Sequence, residues 1–157
     1  MANLHMTMKI HSVFLIGLFL FVSACANDPY DSPKEITEAC NFELQAAFTA
    51  VKLRDKGKPK LMLLSKLGPL SKDSSRLLVN MYQIVDEIYT HNDLDTIIYP
   101  AYRYELCQRQ LLFKPHPLTI KPVLPMLKQC QESKDTASAE QATECIVTGL
   151  NTFNKKD

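Results

Sequence analysis

Two groups of residues in this chain have the types and spacing for chemistry. The first is Glu87 and His91, four positions apart and so one turn apart on a helix, with Asp86, Asp93 and Asp95 close by. A histidine beside carboxylates can move a proton at neutral pH, and a small hydrolase would use His91 with these neighbours. The same pattern also arises at an exposed helix end. Acids there precede a histidine near the last turn, which complements the helix dipole, and Asp93 would cap the next helix. The chain has no G-x-S-x-G, no phosphate-cradling glycine loop and no zinc signature, and only four glycines in all. The exposed helix end is therefore the preferred reading, and no catalytic residue, metal ligand or cofactor is assigned. His116, between Pro115 and Pro117, reads as an exposed loop residue.

The second group is the five cysteines, and the first of them, Cys25, stands at the end of a distinctive leader. A weakly basic segment with His5, Lys9 and His11 runs into the apolar stretch 13–22 and then into small residues. This is the layout of a secretory signal peptide. Ten apolar residues are too few for a membrane-spanning helix, which needs about 20. Val22-Ser23-Ala24-Cys25 resembles the lipobox of bacterial lipoproteins. The resemblance implies that Cys25 takes a diacylglycerol, that the chain is cut after Ala24 and that the new amino group is acylated, commonly with palmitate. Two or three acyl chains would hold the protein at the membrane essentially permanently. In that family Asp directly after the cysteine keeps the protein at the inner membrane. Ala26 stands there instead, which points to the outer membrane, facing the periplasm, in a Gram-negative source. An ordinary signal peptide cut near Ala24 or Ala26 would leave an odd cysteine, whereas lipidation removes Cys25 and leaves four.

The elements that must position the remaining residues read as helices throughout. Residues 1–24 form the leader, 25–32 a lipidated polar tether, and 33–157 a single domain. Ser32-Pro33-Lys34-Glu35 is a capping-box start, after which Ile36, Cys40, Leu44, Ala47, Phe48 and Val51 recur on one face until Gly57 and Pro59. Residues 60–67 predict a short second helix ended by Gly68 and Pro69. The strongest stripe is the third helix, with Leu77, Leu78, Met81, Ile84, Val85, Ile88 and Tyr89. Asp93 is expected to cap a fourth helix with Ile97, Ala101, Tyr104, Cys107 and Leu111 inward and a late start or kink at Pro100. Residues 113–117 read as a loop. Helices over 122–132 and 136–153 follow, separated by the polar turn Ser133-Lys134-Asp135. No stretch alternates with a period of two, so the expected fold is an all-α, disulfide-stapled bundle of five or six helices.

Cys40, Cys107, Cys130 and Cys145 all fall on these helices, and export would place them in an oxidising compartment. Four cysteines allow three pairings. Cys130 with Cys145 is favoured because a helix, a tight turn and an antiparallel helix bring them together. Cys40 with Cys107 would then join the first helix to the fourth. There is no Cys-x-x-Cys and no nearby histidine pair for a metal site.

The whole chain carries 18 basic and 17 acidic residues, and Lys9 is the only charge in the first 24, which leaves 17 of each sign from Cys25 onward. A body with balanced charge lacks the basic face that nucleic acid requires. The expected partners are the membrane, through the lipid on Cys25, and a protein, not nucleic acid. Tyr82, Tyr89, Tyr99, Tyr102 and Tyr104 cluster around the third and fourth helices, and at least one is expected to be exposed as a binding anchor. The leading functional expectation is a tethered, non-enzymatic protein-interaction module. Size, export and architecture also resemble immunity proteins against cell-wall-degrading effectors and the helical pilotins of secretins, and more directly the small helical lipoproteins of proteobacteria. A carrier of small apolar ligands is a further alternative, and it needs a cavity.

Overall fold

The computed structural model describes residues 32–133 and 138–153. The leader, Cys25, the tether up to Asp31, and Lys134 and Asp135 of the expected turn lie outside the described residues. A compact unit begins at Pro33. It is all-helical, with six α-helices and no strand among the described residues. They are α1 Pro33–Asp55, α2 Lys60–Leu64, α3 Arg76–Thr90, α4 Ile98–Leu111, α5 Leu124–Glu132 and α6 Ala139–Phe153, with a 3₁₀ turn at Lys121–Val123 before α5.

The apolar stripe of α1 buries Ile36, Cys40, Ala47, Ala50 and Val51, while Leu44 and Phe48 are half-buried. The helix closes with a Schellman motif. Gly57 N donates to Arg54 O (2.8 Å) and Lys58 N to Leu53 O (3.0 Å), with Gly57 in the left-handed region at φ 72°. Ser75 caps α3, its hydroxyl accepting from Leu78 N at 3.3 Å. Ile84, Val85 and Ile88 are buried as the stripe predicts, whereas Leu77, in the first turn, is exposed.

Two expectations about α4 are corrected. Its first turn is held by Asp95, whose Oδ1 accepts from both Ile97 N (2.8 Å) and Ile98 N (2.7 Å), and not by Asp93. Asp93 instead pairs with Lys128 on α5. The inward face is also turned from the one expected. Ile98, Tyr99, Tyr102, Arg103 and Leu106 are buried with Ala101, Cys107 and Leu111, while Ile97 is exposed and Tyr104 half-buried. α4 packs against α1, α5 and α6, so nearly all its surface is covered and no narrow apolar stripe is needed to orient it. Pro100 sits in the first turn, where a missing N–H costs nothing, and the helix starts late.

Two disulfides staple the bundle. Cys40–Cys107 ties α1 to α4 with Cα atoms 5.5 Å apart, and Cys130–Cys145 ties α5 to α6 at 5.9 Å, both within the usual span. The core between them holds Ile84, Ile88, Leu94, Leu127, Ile146 and Leu150, each at most 1% exposed.

Candidate functional site

The acid-and-histidine cluster does not converge into a catalytic centre. His91 ends α3, its backbone N–H donating to Glu87 O at 2.8 Å. The terminal carbonyls here are collected by Arg54 of α1, whose guanidinium donates to Ile88 O (3.3 Å), His91 O (3.5 Å) and Leu94 O (2.7 Å). A cation at that place satisfies carbonyls that the helix cannot. Asp86 pairs with Lys60, and Asp95 is occupied by the backbone of α4. A hydrogen bond from Lys128 holds the Asp93 carboxyl below the usual carboxylate range against the opposing effect of burial.

Glu87 overturns the exposed-helix-end reading, because its side chain points inward and is buried. Its Oε2 accepts from the Tyr99 hydroxyl at 2.8 Å and lies 3.6 Å from Arg103 Nη1, and its Oε1 accepts from Gln83 at 2.9 Å. Arg103, fully buried, donates through Nη2 to Glu43 Oε2 at 2.9 Å, and Asn80 donates to Glu43 Oε1 at 2.5 Å. One guanidinium thus bridges carboxylates from α1 and α3. Burial opposes the Arg103 cation, but Tyr99, Glu87 and Glu43 outweigh that effect and raise its pKa. Burial, reinforced by Glu87, raises the pKa values of Tyr99 and Tyr102. The Tyr102 hydroxyl and Arg103 Nε are buried without a hydrogen-bond partner. Such a closed network fixes how three helices meet and offers a substrate no access. None of the five tyrosines expected near these helices is fully exposed. Tyr99 and Tyr102 are buried and Tyr82, Tyr89 and Tyr104 half-buried, which corrects the expected exposed tyrosine anchor.

Two surface features face outward instead. An open apolar groove of about 360 Å³ runs between α1 and α3 with α2 at its end. Phe42, Ala46, Ala50 and Leu53 line one side, Met81, Ile84 and Val85 the other, and Leu63, Lys66 and Leu67 close it. Phe42 stands at its edge, 54% exposed. It is a surface groove and not the internal cavity that a ligand carried within the bundle would require. The second feature is the loop from Leu112 to Ile120. Leu112, Phe113 and Leu118 are exposed there, just beyond a helix, α4, in which no residue is exposed.

Among the described residues no group of three or more His, Cys, Asp or Glu side chains is placed to hold a metal ion, and no helix is long and apolar enough to cross a membrane. No protein-family model matches the chain, and no curated protein or solved structure is significantly similar to it.

Sequence reasoning found neither the network nor the surfaces. The signal for the network was present. Glu43, Asn80, Glu87 and Arg103 each occupy a core position in the helical repeat of their own element, where a polar residue needs a partner.

Proposed function

We propose that this chain is a lipid-anchored protein of the bacterial envelope, tethered through Cys25 at the outer membrane and facing the periplasm. In this reading the helical domain is a non-enzymatic protein-interaction module. Two disulfides suit an oxidising compartment. The groove between α1 and α3 carries the reading, because it is the apolar surface that the fold leaves open between two packed helices. From Phe42 to Leu53 it follows about 16 Å of helix. A whole helix about 10 Å across would need roughly 1,300 Å³ over that length. The volume of about 360 Å³ suits a single row of apolar side chains from a partner.

A photoreactive amino acid in place of Phe42, in the full chain in its own envelope, is expected to form a protein adduct that Ala50→Trp abolishes by filling the groove. Absence of that adduct, together with a hydrolytic activity lost in a folded His91→Ala variant, would reverse the assignment. The captured protein also decides the finer role. A cell-wall-degrading effector means immunity, and a secretin means a pilotin. Mass spectrometry of the mature N-terminus tests the anchor, with a diacylated Cys25 expected and a free Cys25 thiol counting against it.

One observation favours a second reading, an apolar ligand with an anionic head. Lys66 is the one charged residue lining the groove, is exposed and meets no carboxylate among the described residues. A fatty acid that binds where its methyl ester does not would support this reading.

A further inference from the structure

The end of α4 repeats the end of α1 with one substitution that makes no local sense. Phe113 N donates to Gln110 O (3.4 Å) and Lys114 N to Arg109 O (2.8 Å), the same Schellman pattern that Gly57 and Lys58 make after α1. Both motifs place their central residue in the left-handed region, Gly57 at φ 72° and Phe113 at φ 52°. Glycine takes that conformation freely, whereas a bulky side chain is strained there. Packing returns nothing for the strain, since Phe113 is 84% exposed. A strained backbone that presents an aromatic ring to solvent points to a use outside the fold.

The surroundings restrain the backbone that carries the ring. Arg109, buried at the base, donates to Pro115 O (3.4 Å) and to Asn151 Oδ1 of α6 (2.7 Å), while its Nε is paired with Glu105. His116 Nδ1 meets Lys114 O at 2.8 Å. Pro115 and Pro117 restrict the backbone on either side of His116. From Leu106 to Gln131 the chain has four basic residues, Arg109, Lys114, Lys121 and Lys128, and no acid. Arg109 and Lys128 are occupied by Glu105 and Asp93, but Lys114 and Lys121 are exposed and meet no carboxylate among the described residues. Leu118, 88% exposed, adds a second apolar contact on the same loop.

We infer that the Leu112–Leu118 loop is a preformed docking knob, in which Phe113 enters an apolar socket on a partner protein and Lys114 and Lys121 meet acidic residues at the rim of that socket. A loop whose backbone is already held loses less freedom on binding than a mobile one, which suits a protein pocket. A fluid lipid surface would not need the backbone beneath the ring held in a strained conformation. This surface is separate from the α1–α3 groove, and the inference deepens the interaction-module reading by naming the chemistry of a partner.

The test uses the full chain in its own envelope, with a photoreactive amino acid in place of Phe113 and, as a control, of Leu61, which is 77% exposed on α2. The expected result is a discrete protein adduct at 113 that is absent at 61. Against the protein so identified, purified, Phe113→Gly should weaken binding at least roughly 30-fold, as expected for a central aromatic anchor. Its Tm should stay level or rise by a few degrees, because glycine relieves the backbone. Lys114→Glu should slow association, and the rate should lose its dependence on salt. Lipid adducts at 113, equal labelling at 113 and 61, no adduct at 113, or a Phe113→Gly variant that binds normally would each overturn the inference. An adduct at Phe42 without one at 113 overturns the knob and leaves the module reading standing.

Discussion

At the scale of single residues the buried polar network determines how mutations will read out, and adjacent positions on α4 should respond with opposite signs. Arg103 faces Glu43 and Glu87 with no water-exposed surface, so Arg103→Met leaves two carboxylates buried without their cation. Breaking such a pair costs about 3 to 5 kcal/mol. Tyr102 is equally buried, but its hydroxyl has no partner, so Tyr102→Phe removes an unmet polar group and should stabilise by about 1 kcal/mol. Urea denaturation of both variants at neutral pH checks the pair, and a destabilised Tyr102→Phe would show that the hydroxyl is bonded after all. Alkaline pH provides a second measurement. The folded state holds the Tyr99 and Tyr102 protons more tightly than the unfolded chain does. Stability is therefore retained below about pH 10 and falls above it, as the unfolded phenols ionise first. The fall should be shallower in Tyr102→Phe.

At the scale of elements, what could be read from the sequence depended on how each helix is covered. α1 and α3 each bury one side, and their three- and four-residue spacing identified Ile36, Cys40, Ala47, Val51, Ile84 and Ile88 as inward. α4 is surrounded, so periodicity carried little information and the inferred face was turned away from Ile98, Tyr99 and Tyr102. Its cap was misassigned for a related reason. Asp93 and Asp95 are both suitable caps by type, and only the position of the first free N–H groups distinguishes them. Asp95 holds two of those groups, while Asp93 makes a half-exposed ion pair with Lys128. Asp95→Ala should cost about 1 kcal/mol, as loss of a cap does, and Asp93→Ala less than about 1 kcal/mol, as an exposed pair does. Thermal unfolding of the two variants side by side tests this, and equal losses would return the capping role to Asp93. The candidate surfaces were less legible still. The groove is bounded by residues of three separate elements whose juxtaposition no local pattern reveals, and the strain at Phe113 belongs to a backbone angle that residue type alone would have argued against.

At the scale of the whole molecule, the two disulfides are unequal in what they hold. Cys40–Cys107 closes a separation of 67 residues and Cys130–Cys145 one of 15. Restriction of the unfolded chain alone makes the first worth about 4.4 kcal/mol and the second about 3.0 kcal/mol. Position widens the difference. Cys40 precedes Glu43 by three residues on α1 and Cys107 follows Arg103 by four on α4, so the bridge lies about one helical turn from the buried ion pair on the same interface. A change that lets α1 drift from α4 loosens both the cross-link and the partner of a buried guanidinium, and effects at such close sites do not add. Replacing Cys40 and Cys107 together by Ala should therefore cost more than about 4 kcal/mol. Adding Arg103→Met to that background should cost less than it does in the parent chain. The Cys130 and Cys145 pair, between α5 and α6, should lower stability by about 3 kcal/mol and leave the cost of Arg103→Met unchanged. Denaturant unfolding of the full set measures both couplings. Equal coupling of Arg103 to the two bridges would mean that the ion pair is held by the bundle as a whole and not by the α1–α4 staple beside it.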